Sequence, residues 1–201
     1  MSYTREQIEA AVKKEGHKWF ENGDYNVNIV GVRNSATHNE VTNKFDDWMT
    51  ISYKVNGEWN FHCYDCTTDP GKYWVDNLMN PDGVAIVVPG QYRSSHKIGL
   101  HQGKYEALRQ QKPIKVWRDD NKDNVYDHIA DDIQDGVFGI NIHRATKYPG
   151  HESTQVDKWS AGCQVIAAYN DFEEFMNVMY KARDAWSNSV TYTLIESKYI
   201  D

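Results

Sequence analysis

Cysteine is scarce in this sequence, basic charge is in deficit, and long apolar runs are missing. Each shortage removes a class of protein. Three cysteines in 201 residues, an odd number, do not make the disulfide framework of a small secreted scaffold. Lys and Arg total 22 against 29 Asp and Glu, a net charge of −7. With no basic stripe or cluster there is little to neutralise phosphates, so a nucleic-acid partner is not expected. The longest apolar runs, such as Val84 to Val88, fall far short of a bilayer span. The opening Met1-Ser-Tyr-Thr-Arg-Glu-Gln lacks the basic start and apolar stretch of a secretory signal, so the chain is expected to be made as a soluble cytoplasmic protein.

What is present describes a globular protein. Hydrophobic residues make up 40% and charged residues 25%, with seven Trp and thirteen Tyr. That is enough for a core in one domain spanning residues 1–201. Thr4-Arg-Glu-Gln7 reads as a capping box opening an N-terminal helix within residues 1–22, with Ile8, Ala11 and Val12 at helical spacing and Gly16 as its stop. Residues 48–55 and 58–66 flank Asn56-Gly57, the signature of a two-residue type I′ hairpin. Further strands are expected at 25–32, 84–88, 114–118, 137–143 and 190–196, and Asn170 is expected to cap a helix carrying Phe172, Phe175, Met176 and Met179 on one face. The result is a mainly β domain, mostly antiparallel, with a few helices.

Two motifs invite a metal and fail the first inspection. Cys63-x-x-Cys66 has no second pair to complete a zinc set, and on a strand its two thiols would face opposite sides. Asp119-Asp-Asn121-Lys-Asp123-Asn124 carries oxygen ligands at alternate positions, but it lacks the Gly expected sixth in a calcium loop. Ala130 also stands where a bidentate Glu belongs. It reads as a solvated turn, and no metal or cofactor is expected.

The third cysteine carries more. Ser160-Ala-Gly-Cys163 precedes the apolar run 165–168, and His143 closes a strand-like run upstream, with a polar loop between them. A thiol of pKa about 8.5 is only a few per cent ionised at neutral pH, so a nucleophilic cysteine needs a base. His143 can take its proton and later return it to a leaving amine. Small Ala161 and Gly162 leave backbone N–H groups for the oxyanion that develops beside Cys163. Trp159, Ser160, Arg144, Arg118 and His101 are the candidate substrate contacts.

A strand ending in His143, a polar loop, Ser160-x-Gly162-Cys163 and then a helix resembles the catalytic core of the L,D-transpeptidases, over roughly residues 84–196. The resemblance implies a β-sandwich-like domain whose Cys–His pair acts on peptidoglycan stem peptides. Cys163 would attack an amide carbonyl and form a thioester, with His143 as base, oriented by the backbone of Arg144. Three positions depart from the family pattern. Ala161 stands where a His is common, Val165 where an Arg is usual, and Arg144 where a small residue is usual. The pairing of Gly139-Ile-Asn-Ile-His143-Arg with Trp159-Ser-Ala-Gly-Cys163-Gln-Val looks like a divergent branch found in phage and bacterial wall-degrading proteins. It implies an endolysin-like hydrolase that meets the cell wall after lysis, injection or export. The alternatives are a crosslinking transpeptidase and a non-catalytic wall-binding or phage structural module.

Overall fold

The computed structural model describes residues 3–201. The eleven strands are β1 (Asn28–Arg33), β2 (Asp47–Val55), β3 (Glu58–Thr67), β4 (Val84–Val87), β5 (Gly90–His101), β6 (Tyr105–Gln110), β7 (Ile114–Asp119), β8 (Gln134–Gly136), β9 (Ile142–Arg144), β10 (Gln164–Ile166) and β11 (Val190–Glu196). Three helices accompany them: α1 (Arg5–Lys14), α2 (Lys72–Asp76) and α3 (Tyr169–Ala185). No helix among the described residues is long and apolar enough to cross a membrane.

The mainly β expectation holds, but the sandwich does not. Eight strands close a barrel in the order β1-β11-β5-β6-β9-β10-β3-β2, and β4-β7-β8 form a separate three-stranded sheet. A sandwich keeps open sheet edges, whereas here each of the eight strands has a hydrogen-bonded neighbour on both sides, which abolishes the edge. Two pairings, β1 with β11 and β9 with β10, are parallel.

Local chemistry accounts for most elements. The Thr4 hydroxyl accepts from Gln7 N–H and Gln7 Oε1 accepts from Thr4 N–H, so the capping box that starts α1 is formed. Asn56 and Gly57 both hold positive φ, +51° and +83°, as a type I′ turn requires. The hairpin keeps β2 and β3 paired in register from Asp47–Cys66 to Val55–Glu58, and β3 continues the barrel to β10. Helix α3 starts two residues earlier than expected, after Ala168 and without a side-chain cap. Asn170 Oδ1 accepts Gly150 N–H instead. Its stripe of Phe172, Phe175, Met176 and Met179 is buried in the main core with Ile142, Ile166 and Leu108. Each such side chain contributes about 1.5–3 kcal/mol on burial.

The barrel interior also holds a polar cluster. Arg33 is fully buried and donates to the Val87 carbonyl (2.8 Å) and to Thr68 Oγ1 (3.1 Å), with Asp69 Oδ1 3.0 Å away. Buried Gln164 accepts from Tyr192 Oη at 2.6 Å and donates to the Gly162 carbonyl at 3.2 Å. This last bond ties the core to the turn that carries Cys163.

Candidate active site

Strand β9 ends in His143-Arg144 and runs parallel to β10, with Gln164 beside Ile142 and Val165 beside His143. Cys163 immediately precedes β10, and Gln164 N–H donates to the Asn141 carbonyl at 2.9 Å. Sheet pairing thus removes the sequence distance between the two residues. They line one cavity of about 640 Å³, whose walls also include Ala161, Trp159, Arg118 and His101. Trp74, Met79 and Phe138 give it an apolar side.

His143 is 3% exposed. Its Nδ1 lies 2.8 Å from the Arg144 carbonyl, and a carbonyl only accepts, so the proton sits on Nδ1 and Nε2 keeps its lone pair. The ring of His101 stacks on it at 4.1 Å, and Asn141 Nδ2 donates to His101 Nδ1 at 3.1 Å. Burial first, and the neighbouring His101 second, pull His143 down to about 3. The imidazole is neutral across the physiological range.

Cys163 is half-buried and free. Its thiol donates to the Gly139 carbonyl (3.4 Å), and the sulfur accepts Asn141 N–H (3.5 Å). Burial pushes the thiol up to about 11, against the pull of that N–H. No hydrogen bond joins the thiol to an imidazole among the described residues. The site thus holds a neutral thiol beside a neutral imidazole, so any attack by the sulfur would need its proton removed in the same step. As placed, the thiol points its proton at Gly139 and not at His143.

The turn before Cys163 is built for close approach. Gly162 holds φ +133°, and a Cβ there would come within 2.6 Å of the Ala85 carbonyl oxygen on β4. Only glycine fits. Ser160 is fully buried, its hydroxyl donating to the Cys163 carbonyl (2.7 Å) and accepting Gly162 N–H (3.1 Å).

Three of the expected contacts therefore lie elsewhere. Gly162 N–H is already bound to Ser160, so it is not available to an oxyanion; the N–H groups of Ala161 and Cys163 have no acceptor among the described residues. Ser160 clamps the turn and is closed off from the cavity. The Arg144 side chain lies over the rings of Tyr105 (4.2 Å) and Tyr169 (5.1 Å), outside the cavity lining; only its carbonyl meets the site.

Sequence reading missed the groups that hold these residues. Gln110 Oε1 accepts the N–H groups of Phe138 and Ile140, while its Nε2 donates to the carbonyls of Lys112 and Gly136. These bonds take the N–H groups a strand partner would need, so the expected strand 137–143 shrinks to β9. They also fix Gly139, the acceptor of the Cys163 thiol. Buried His96 adds a bond from Nε2 to the Ile140 carbonyl at 2.8 Å. The one signal for Asn141 was a polar residue set between Ile140 and Ile142. Comparison with protein-family models, with curated proteins and with solved structures returns no match.

Proposed function

We propose that this protein is a cysteine-dependent, lysin-like peptidase that cuts stem-peptide amide bonds of peptidoglycan through a thioester. One observation carries the reading: Cys163 lines a cavity with a histidine whose Nδ1–H is committed to a carbonyl, leaving Nε2 as a base. In the proposed step Nε2 takes the thiol proton as sulfur attacks the carbonyl carbon. The oxyanion meets the N–H groups of Ala161 and Cys163. Collapse expels the amine, which leaves with the proton from His143. Water then gives up a proton to Nε2, hydrolyses the thioester to a carboxylate and restores the thiol. Arg118, on the cavity wall with no carboxylate within ion-pairing reach among the described residues, serves as the contact for a stem-peptide carboxylate. Trp159, 43% exposed, forms an aromatic lip. The choice of water over an amine as acceptor rests on the resemblance of residues 139–144 and 159–165 to wall-degrading proteins.

A second reading, a wall-binding module without chemistry, is favoured by the thiol's bond to Gly139 rather than to His143. Incubation with defined tetrapeptide monomers and crosslinked dimers, read by mass, separates the possibilities. Shortened stems or released monomers support the peptidase, new dimers indicate transpeptidation, and unchanged muropeptides support the binding module.

A further inference from the structure

The hairpin between β5 and β6 sets a second histidine against His143. His101 pairs with Tyr105 at the end of that ladder, and in the turn between them Gln102 and Gly103 hold positive φ, +51° and +70°. This short reversal delivers the His101 ring onto that of His143, 4.1 Å away. His101 is 7% exposed and lines the same cavity as Cys163.

Hydrogen bonds decide which nitrogen of each ring carries the proton. Gln110 N–H donates to Asn141 Oδ1 at 3.0 Å, which leaves the amide nitrogen Nδ2 to face His101 Nδ1 at 3.1 Å. An amide NH₂ only donates, so His101 Nδ1 accepts and the ring proton sits on Nε2. His143 is the opposite tautomer, its Nδ1–H held by the Arg144 carbonyl and its Nε2 bare. Neither Nε2 has a protein partner among the described residues, and neither is sealed from solvent. The stacked pair therefore presents one acceptor and one donor side by side.

Asn141 also keeps the donor neutral. A second proton on His101 would have to enter at Nδ1, where the Asn141 amide already donates. Burial first, then Lys104 and Arg109, hold His101 below its ordinary value. The Asn141 backbone meanwhile donates to the Cys163 sulfur at 3.5 Å and accepts Gln164 N–H at 2.9 Å. One asparagine thus joins the nucleophile to the second histidine.

We propose that His101 binds substrate through Nε2–H, which holds a carbonyl oxygen of the bound peptide beside the scissile bond, and that Asn141 is the positioning residue that fixes this tautomer. The proposal rests on the peptide substrate proposed above. A peptide offers such an oxygen at every residue, whereas its carboxylate is drawn to Arg118. The donor's neutrality matters, because His143 takes up a proton in the proposed step and a cation stacked on it would oppose that charge. A ligand with no acceptor here leaves a donor unpaired, so binding selects for the carbonyl.

Nuclear magnetic resonance of the histidine ring nitrogens in the full chain reads the tautomers without any substrate. At neutral pH His101 is expected to carry its proton on Nε2 and His143 on Nδ1. Asn141→Asp, whose side chain only accepts, is expected to bring a proton onto His101 Nδ1. A proton on His101 Nδ1 in the wild type, or no change in Asn141→Asp, overturns the positioning role. His101→Phe keeps a ring on His143 and removes the N–H. On a muropeptide that the wild type cuts, its KM is expected to rise about tenfold with kcat within about threefold. An unchanged KM, with or without a fall in kcat, overturns the substrate contact. If the wild type cuts none, the peptidase reading fails separately, and the contact is read as the Kd of a tetrapeptide stem by calorimetry. A Kd about tenfold weaker in His101→Phe supports the contact; an equal Kd, or no binding by the wild type, overturns it.

Discussion

The Nδ1–H of His143 donates to the carbonyl of its own neighbour Arg144 at 2.8 Å, and this bond decides which ring nitrogen can act as a base. In catalytic triads a side-chain carboxylate orients the imidazole; here a backbone carbonyl is the acceptor. It adds no charge, so the imidazole stays neutral and the thiol keeps its proton.

That resting state has a kinetic signature. Because Cys163 is pushed up to about 11, its alkylation by iodoacetamide should be slow at neutral pH and should rise about tenfold per pH unit. Peptide mapping identifies the labelled residue. A rate that levels off between pH 7 and 8 would instead reveal a thiolate–imidazolium pair.

Gly162→Ala should be far more harmful than an alanine in a loop usually is. Its positive φ costs about 1–3 kcal/mol, and the new methyl meets the Ala85 carbonyl oxygen at 2.6 Å. Denaturant midpoints should fall, and Cys163 should shift against β4. A stability within about 0.5 kcal/mol of wild type would show that the turn relaxes freely.

Gln110→Leu tests whether one side chain holds the cavity wall. It strips acceptors from Phe138 and Ile140 N–H and donors from Lys112 and Gly136 carbonyls. A loss of about 3–5 kcal/mol is expected, with wall-peptide turnover reduced at least tenfold. Intact turnover would detach Gly139 from the mechanism.

His96 makes the fold sensitive to acid. Burial holds it at about 4, below its ordinary 6.5, so between those values the unfolded chain binds the extra proton and stability falls as pH drops. The shift corresponds to about 3 kcal/mol. Asp69 works in the opposite sense: burial holds it at about 7, so the folded state protonates first and gains stability as pH falls through 7. The two effects overlap in the total curve, and a comparison of variants isolates one of them. His96→Gln should lose about 3 kcal/mol less than wild type between pH 6.5 and 4, by urea unfolding. Parallel curves would mean that His96 is charged in the folded protein.

The elements legible in the sequence were those governed by local rules. The Thr4 capping box, the Asn56-Gly57 turn and the apolar stripe of α3 depend on residues within a few positions of each other. Strands β5 and β6 were missed because Gly90–Gln110 mixes polar residues such as Ser95, His96 and Gln110 into buried positions. His96 and Gln110 find hydrogen-bond partners at Ile140 and Asn141, far along the chain. Barrel closure was likewise invisible, since the parallel pairing of β1 with β11 joins opposite ends of the sequence. At the candidate site, spacing sufficed to bring Cys163 and His143 to one place, and they line the same cavity. The hydrogen bonds of Ser160 and Gln110, which decide which N–H groups are free, could not be read that way. Asp119 was read as solvated because burial of a strand's last residue depends on what the next loop covers.

The central claim is that Cys163 performs the chemistry, and the most direct measurement compares turnover of defined muropeptides by the wild type, Cys163→Ala and Cys63→Ala. Each variant is first shown to be folded by its circular dichroism and Tm. The account predicts shortened stems or released monomers with the wild type and Cys63→Ala, and none with Cys163→Ala. Cleavage by a folded Cys163→Ala variant at the wild-type rate would contradict it.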